Sequence, residues 1–596
     1  MRRFFAHPKI SFLGLGLMAA AVLFGASCSE VRQPPAKEYF ANTPPPQKQE
    51  FRWSNGRSPK TLDPARAAAA PETDIVRAIY EGLTELDPRS LEEMPAVAES
   101  WTVSNDLRVW TFRIRSDAKW SNGSPLVAED FARSWRRVLS LGKEAPHREL
   151  MANIAGAKTG DNETHTAESG RATLPAMNAL SAEHPLSPSA ETPSESEPPL
   201  QNENDRKFGV EAPDERTLVV KLIEPDKDFA RLVAHSVFRP VFDGGKGLSG
   251  SSVSSETVVN GAFSIADVKP EGLTIERSDH YWNREEVRLE RVVFVPTESG
   301  DKALEAYRKG EVDAVTNTEF SPLALKLLTP YADFRRTTFA AINFYEINYD
   351  LPVFRDRRVR EALALAIERE RLTEGELEGT TQPAMTFLPF GSPSNAGITQ
   401  DRERAKDLME AAGYEEGRGF PVIRLTVNRN DTQIRIARSV AGMWKRNLNI
   451  ETDIQIKESS EIETLRKNRD FEMIRRGVVL RTPDEMIGLR SIFGSAYTPL
   501  PPEPGNEADV ETTPDGGPNA NSANTIEQPF LGPVGPIADE GDAIFELTAI
   551  PLYFPLSYAL VKPFVTGFDS NSLDHPLLHR VAIDAEWRSS QPAATP

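Results

Sequence analysis

The chain contains one cysteine, Cys28, among 596 residues. A single cysteine can form no disulfide within the chain, and it excludes a metal site built from several thiolates. The sequence also lacks the phosphate-binding loop GxxxxGKS/T, the zinc-binding HExxH pair and the GxSxG nucleophile elbow. Because no nucleophile, base and oxyanion donor occur at a recognisable spacing, we expect no enzyme activity and no cofactor.

The nearest candidate for a metal site is the segment DHPLLH, which holds Asp574, His575 and His579. Residues at this histidine spacing lie on one face of a helix, where they could bind zinc together. Pro576 would interrupt such a helix, however, and a solvated turn explains the same residues. We therefore expect no bound metal.

An excess of basic residues is also missing. The chain has 69 lysines and arginines against 88 aspartates and glutamates, a net charge of −19. This balance excludes an electrostatically driven nucleic-acid partner and favours a well-solvated protein. The length exceeds what one hydrophobic core supports, so roughly two to four domains are expected.

The N-terminus predicts export. Arg2, Arg3 and Lys9 precede an uncharged segment over residues 10–27. This pattern is typical of a secretory signal peptide, here spanning residues 1–27. A retained transmembrane helix and a plain, non-lipidated signal peptide are alternative interpretations of the same segment.

The end of this segment, FGASC, resembles the bacterial lipobox, the signal for cleavage before a cysteine that is then acylated. Gly25 departs from it, since leucine is usual there. We expect Cys28 to carry a lipid anchor and the rest of the protein to lie outside the cytoplasmic membrane. Residues 28–50, rich in Pro, Gln and Lys, are predicted to be a tether.

Apolar periodicity predicts an α/β class. Apolar residues alternate over 423–427, recur at helical spacing over 436–444 and alternate again over 450–456. A strand, a helix and a strand in so short a stretch predict a βαβ unit with two parallel strands. Earlier in the chain, the same patterns predict a strand at 110–114, a helix at 128–141 and a buried strand at 218–223.

Two segments have the composition of disordered insertions. Residues 157–207 and 497–541 are dense in Pro, Ser, Glu and Asn and have few apolar side chains. Such segments cannot bury enough apolar surface to offset the entropy lost on ordering. Neither contains an internal repeat.

Longer stretches resemble one family. SPKTLDPARA, YEGLTELDP, VVNGAFSIADVKPEGLTIERSDHYWN and IPLYFPLSYALVKPFVTGFDSNSLDH are similar, in this order, to bacterial oligopeptide-binding proteins. Members of that family are the extracellular solute-binding subunits of peptide ABC importers. The resemblance covers nearly the whole chain outside the signal peptide, the tether and the two insertions.

The resemblance implies a bilobed α/β fold of the periplasmic-binding-protein type, with mixed sheets, an additional third domain and a two-strand hinge. Lobes of this kind close around a ligand. The family holds extended peptides mainly through main-chain hydrogen bonds, as an added strand would be held. The implied domains are lobe I at 51–83, 211–278 and 551–590, an accessory domain at 84–210, and lobe II at 279–550.

The segment FEMIRRGVVLRTPDE matches the family's ligand-binding strand, whose usual form is F-D-x-x-R-x-G-W-x-x-D. Arg475 and Gly477 match, Val478 stands where tryptophan is usual, and Arg481 replaces the aspartate that in the family pairs with the peptide α-ammonium. Arg475 and Arg481 share one strand face, roughly 20 Å apart at about 3.3 Å per residue. The resemblance implies ligand contacts by Arg475, Gly477, Val479 and Arg481, and two cations disfavour a ligand with a free ammonium.

Several alternatives stay open at this point. Arg481 could pair with Asp484 or Glu485 and turn away from the cleft, or Asp484 could itself take the ligand ammonium. Arg476 is expected to be a solvated or ion-paired surface residue. Glu72 and Asn260 match further positions that lie near the ligand in the family, although both could have structural roles.

We therefore expect a monomeric, lipid-anchored receptor that captures peptides or peptide-like solutes, N-blocked or anionic ones in particular. It would deliver them to a permease and ATPases on separate chains, because this chain has no phosphate-binding loop and no internal membrane span. The alternative is a former transport receptor that now serves as a surface sensing or interaction protein.

Overall fold

The computed structural model describes residues 38–157, 208–248, 253–390, 397–494, 497–498 and 534–588. The predicted signal peptide, Cys28, residues 29–37 of the tether and most of the two predicted insertions lie outside these residues. Within the described ranges, no helix combines the length and the apolar character needed to cross a membrane.

Strands and helices alternate through most of the described chain. The strands are β1 (Glu50–Ser54), β2 (Thr84–Leu86), β3 (Glu93–Pro95), β4 (Ala98–Val103), β5 (Val109–Ile114), β6 (Val210–Asp214), β7 (Thr217–Lys221), β8 (Phe263–Lys269), β9 (Gly272–Arg277), β10 (Arg291–Phe294), β11 (Ala314–Val315), β12 (Phe334–Thr338), β13 (Ala341–Ile347), β14 (Thr381–Pro383), β15 (Ile423–Asn428), β16 (Thr452–Lys457), β17 (Met473–Val479), β18 (Ala549–Val561), β19 (Val565–Thr566) and β20 (Ala582–Ile583). The helices of seven or more residues are α1 (Glu72–Ile79), α2 (Ala128–Leu141), α3 (Gly300–Lys309), α4 (Pro322–Leu328), α5 (Arg357–Leu365), α6 (Arg402–Ala411), α7 (Asp431–Leu448), α8 (Ser459–Lys467), α9 (Glu485–Phe493) and α10 (Glu540–Glu546).

One mixed sheet runs through both lobes. Its strand order is β16-β15-β17-β13-β18-β11-β1-β10-β9-β8, and β12 and β14 pair with β18. The pairing of β1 with β10 and with β11 is parallel, whereas β8, β9 and β10 pair in antiparallel fashion. The predicted α/β class with mixed sheets is confirmed.

Strand β18 connects the lobes. Its first residues pair with β13, in the register Tyr345↔Ile550, and its last residues pair with β11, in the register Ala314↔Val561. Strands β12 and β13 follow one another along the same side of β18. Two adjacent stretches of chain therefore cross between the lobes, as the predicted two-strand hinge requires.

A second sheet builds the accessory region. Its order is β4-β5-β7-β6, and α2 packs on it through Phe131, Trp135 and Val138, all buried. Strand β7 pairs with β5, although the predicted domain boundary at 211 assigns the two strands to different domains. Strands β10 and β11 pair with β1, although the predicted boundary at 279 separates them from it. The other domain limits stay predictions.

The predicted βαβ unit is present as β15, α7 and β16. The two strands pair in parallel, starting from Ile423↔Thr452. Helix α7 is capped by the Asn430 side chain and ends at Asn449, which adopts a left-handed conformation that asparagine tolerates. Trp444 on its inner face is fully buried and donates to the Leu363 carbonyl at 2.9 Å. This packing holds β15 against β17, the strand of the candidate site.

Candidate ligand-binding site

In strand β17, the main-chain N–H and C=O groups of every second residue point away from the neighbouring strand β13. Leu480 donates its N–H to the Ala340 carbonyl at 2.7 Å, and the register continues through Ile342↔Val478. In an antiparallel pair, hydrogen-bonded residues alternate with residues whose N–H and C=O point to the other side. The main-chain groups of Gly477 and Val479 therefore point away from β13.

These groups lie on a free edge. On the side opposite β13, β15 pairs with β17 only through Met473 and Ile474. Within the described residues, no other strand pairs with this side of β17 between residues 475 and 479. A free edge of this kind can accept an extended ligand as an additional strand.

Arg475 lies over the same edge. Its guanidinium donates to the side-chain oxygens of Asn343 and Asn428, and its Nε is buried without a hydrogen-bond partner. A Cβ added to Gly477 would come within 3.0 Å of this guanidinium, so glycine makes room for it. No carboxylate of the described chain pairs with Arg475, which leaves its charge available to a ligand anion.

Arg476, on the opposite face, has a structural role. It pairs with Glu346 at 3.1 Å and donates to the Ile492 carbonyl at 2.7 Å. Burial lowers its pKa to about 10, against the opposing charge of Glu346. The expected ion pair is present, but the side chain is only 12% exposed and is therefore not a surface residue.

Arg481 has neither a hydrogen bond nor an ion pair within the described chain. Glu485 is engaged by Lys227 at 2.7 Å, and Asp484 is fully buried, so Arg481 does not take the predicted alternative of pairing with either. Burial lowers the pKa of Arg481, and the charge of Glu149 in the accessory region opposes this change. Arg481 is therefore a half-buried cation that forms no ion pair with a described residue.

Two histidines face the end of β17. The rings of His147 and His235 meet edge to face, with centroids 5.0 Å apart, and His147 Nε2 lies 2.8 Å from the Ala68 carbonyl. Burial lowers the pKa of His235 well below its usual range, and the charge of Arg481 is among those that add to this effect. Isolated histidines carry no sequence pattern, which is why sequence reasoning missed them.

Glu72 and Asn260 have partners elsewhere. Glu72, in the first turn of α1, accepts the main-chain N–H of Lys60 at 2.9 Å. The amide of Asn260, 5% exposed, accepts from the N–H of Glu81 at 3.2 Å and donates to its carbonyl at 3.0 Å. The structure gives both residues structural contacts, and their ligand contacts stay predictions.

Replacing Asn260 with alanine is expected to lower the free energy of unfolding by about 1–3 kcal/mol, because the buried N–H and C=O of Glu81 both lose their partner. Thermal and denaturant unfolding measure this change. Asn468→Ala, at an exposed position, is the matched control. Equal stability of the two variants would contradict the structural role of Asn260.

Asp484 and Asp226 form a buried acid pair three residues beyond Arg481. Asp484 caps α9 by accepting the N–H of Ile487 at 2.8 Å, and Asp226 accepts the N–H of Asp228 at 2.9 Å. Both second oxygens are buried without a hydrogen-bond partner in the described chain, and each carboxyl group affects the pKa of the other. Since two carboxylates offer no hydrogen-bond donor, we expect these two acids to share a proton.

The pKa values of the pair follow from this burial. Desolvation raises the pKa of Asp226 to about 7 and that of Asp484 well above its usual range. Two ion pairs flank the acids, Lys227 with Glu485 at 2.7 Å and Arg490 with Glu224. Residues 224–228 are thereby fastened to α9. Asp484 has no free carboxylate to offer a ligand ammonium.

Comparisons with known proteins agree with this architecture. The chain is 27% identical over 582 residues to the periplasmic oligopeptide-binding protein OppA of Escherichia coli (strain K12), covering 94% of this chain and 96% of that protein. It is 29% identical over 462 residues to the periplasmic murein peptide-binding protein MppA of the same strain, covering 74% and 77%.

A solved structure of MppA in its unliganded open form superposes with a TM-score of 0.70 and 25% identity, over 92% of this chain and 99% of that one. The model of the family described as "Bacterial extracellular solute-binding proteins, family 5 Middle" matches residues 92–499. The lobes, the connecting strands and this match over most of the chain lead to one conclusion: the chain belongs to the bacterial extracellular solute-binding proteins of family 5.

Proposed function

We propose that this protein is the extracytoplasmic receptor of an ABC importer and that it binds a peptide or peptide-like solute in extended form along β17. The observation that carries the proposal is the free edge at Gly477 and Val479, whose main-chain groups point away from β13. Relatives named for oligopeptides and murein peptides support the ligand class. Every peptide presents the same backbone donors and acceptors, so this edge accepts varied sequences.

The charges on β17 narrow the ligand further. Arg475 lies on β17 and Arg481 lies two residues beyond its end, and neither forms an ion pair with a carboxylate in the part of the chain that the structure describes. A free α-ammonium beside Arg481 would be repelled. An N-blocked ligand would avoid this repulsion, and a multiply anionic ligand would supply the missing counterions. We therefore propose N-blocked or anionic peptides as the ligand class.

The partners follow from the receptor role. A permease and its ATPases on separate chains would receive the solute, and a lipid on Cys28 would hold the receptor, as a monomer, at the membrane. No observation on the described residues favours the alternative sensing role.

Calorimetry and native mass spectrometry test the ligand class. N-acetylated tri- to pentapeptides that carry acidic side chains are expected to bind at least tenfold more tightly than the same peptides with free amino termini, an estimate that corresponds to about 1.4 kcal/mol. Sub-micromolar binding of the unmodified peptides would overturn the proposed preference. A cleft that binds neither set would overturn the peptide ligand itself.

Val479→Pro tests the edge. Proline removes the N–H that points to the free edge while it spares the bonds to β13, so the fold should persist. Affinity is expected to fall roughly ten- to a hundredfold, since a ligand carbonyl loses its donor at a cost of about 1–3 kcal/mol. Isothermal titration measures the change.

Val478→Pro is the matched control, because residue 478 bonds to Ile342 in the ladder. That variant should lower the unfolding temperature instead, with ligand binding lost only as the fold is lost. Unchanged affinity in a folded Val479→Pro protein would show that the ligand does not add to this edge.

A further inference from the structure

Helix α4 presents two leucines to solvent. Leu323 is 66% exposed and Leu327 is 63% exposed, more than any other large apolar side chain in the described ranges. Residues four positions apart lie on one helix face. The opposite face holds Leu328, which is buried in a cluster with Tyr307 and Phe334. The helix is therefore fixed in the fold, and its outer face is apolar without a partner.

The N-terminal part of the described chain lies beside the end of this helix. The Glu38 carbonyl accepts the N–H of Ala332 at 2.9 Å, and the N–H of Phe40 donates to Asp333 at 2.8 Å. The ring of Phe40 packs edge to face on Tyr331, with centroids 5.6 Å apart. These contacts begin within four residues of the end of α4. The N-terminal residues of the described chain thus lie next to the C-terminal end of the helix that carries the two leucines.

The length of this connection limits how far the helix can be from the bilayer. Cys28 and Glu38 are ten residues apart in the sequence. A fully extended chain spans at most about 3.6 Å per residue, or about 36 Å here, and tethering within that radius gives the attached face a high effective concentration at the membrane. Even a weakly membrane-binding surface would then be occupied.

We propose that the leucine face of α4, formed by Leu323 and Leu327, rests on the lipid headgroup region of the membrane that holds the anchor. This inference depends on the lipid anchor at Cys28 that is part of the proposed function. Leucine side chains are stabilised by burial at the headgroup–acyl boundary, and Lys326 between them, which pairs with Glu378 at 2.6 Å, can keep its charge in the wet headgroup layer. The contact would fix the orientation of the receptor above its permease.

A single introduced thiol tests the contact. Because Cys28 is the only cysteine and its thiol is acylated in the anchored protein, Leu327→Cys can be labelled uniquely with the environment-sensitive dye NBD. The full-length lipidated protein is reconstituted in phosphatidylethanolamine–phosphatidylglycerol vesicles. On the vesicles, NBD at 327 is expected to emit at a shorter wavelength than it does in the same protein released from its anchor into detergent-free buffer. Brominated lipids should quench the emission of the vesicle-bound protein. Val422→Cys, at an apolar residue 53% exposed directly before β15, is the control and should show neither change.

Equal emission and quenching at 327 and 422 would overturn the inference. A blue shift at 327 that appears only in vesicles containing the permease would also overturn it, and would assign the face to a protein partner. Intact-mass measurement distinguishes failure of the lipid anchor from failure of the membrane contact. If Cys28 carries no lipid, both the anchor and this inference are wrong. If Cys28 carries the lipid but NBD at 327 shows no blue shift, only this inference is wrong. Peptide binding, measured separately, is unaffected by either result.

Discussion

Replacing Arg481 with aspartate is expected to raise the affinity for unmodified tri- to pentapeptides by about a hundred- to a thousandfold. Like charges near 4 Å at an effective dielectric constant of about 20 repel by about 4 kcal/mol, which corresponds to about a thousandfold in affinity. Because Arg481 forms no ion pair within the described residues, only the charge of Glu149, which does not contact it, opposes this repulsion. Isothermal titration with peptides that have free amino termini measures the change.

Two variants make this result specific. Arg481→Gln removes the positive charge without adding a negative one and should give an intermediate affinity. Arg288→Asp makes the same change of charge at an exposed loop position and should leave the affinity unchanged. If all three variants bind unmodified peptides as the unsubstituted protein does, Arg481 does not face the ligand.

Replacing Asp484 with asparagine is expected to reduce a stability loss that the unsubstituted protein suffers between about pH 4 and pH 7. Asparagine caps helices as well as aspartate does, and its amide can donate to Asp226 without a proton. In the unsubstituted protein, burial raises the pKa of Asp226 from its ordinary 3.8 to about 7. A raised acid pKa contributes stability that is complete below pH 4 and is lost as the pH rises through 7.

The size of this loss follows from proton linkage. Each pH unit over which folded and unfolded chains differ by one bound proton is worth about 1.4 kcal/mol, so the pair can contribute up to about 4 kcal/mol. Differential calorimetry of both proteins across this range measures it. Glu81 and Asp574, whose pKa values burial also raises to about 7, titrate in both proteins and cancel in the difference. Parallel stability curves would show that Asp226 and Asp484 share no proton.

Charged neighbours of the pair are the same in both proteins. Asp228 adds negative charge near both acids, while Arg490, itself paired with Glu224, partly offsets it at Asp226. Asp228→Asn is a useful third variant, since it removes a neighbouring charge without touching the shared proton. This variant should move the pH range over which stability falls, but the fall in stability itself should remain.

Local patterns in the sequence determined much of the architecture. The alternation over 423–427 and 450–456 predicted β15 and β16, and the 3.6-residue periodicity between them predicted α7. These predictions succeeded because burial on one face of an element is a short-range property of its own residues. The ligand-binding strand β17 was identified through family resemblance, and the alternation of its side chains could be predicted without coordinates, whereas its free edge was seen only in the structure.

The tertiary structure alone decided which charged residues have partners. Alternation in the sequence separates Arg476 from Arg475, but only the structure shows that Arg476 meets a carboxylate, because the strand pairing brings Glu346 to its face. The same holds for Asp226 and Asp484, which are 258 residues apart in the sequence and affect each other's pKa only because two distant segments pack together. Ion pairs and pKa values depend on distance and desolvation in three dimensions, and neither is encoded in local periodicity.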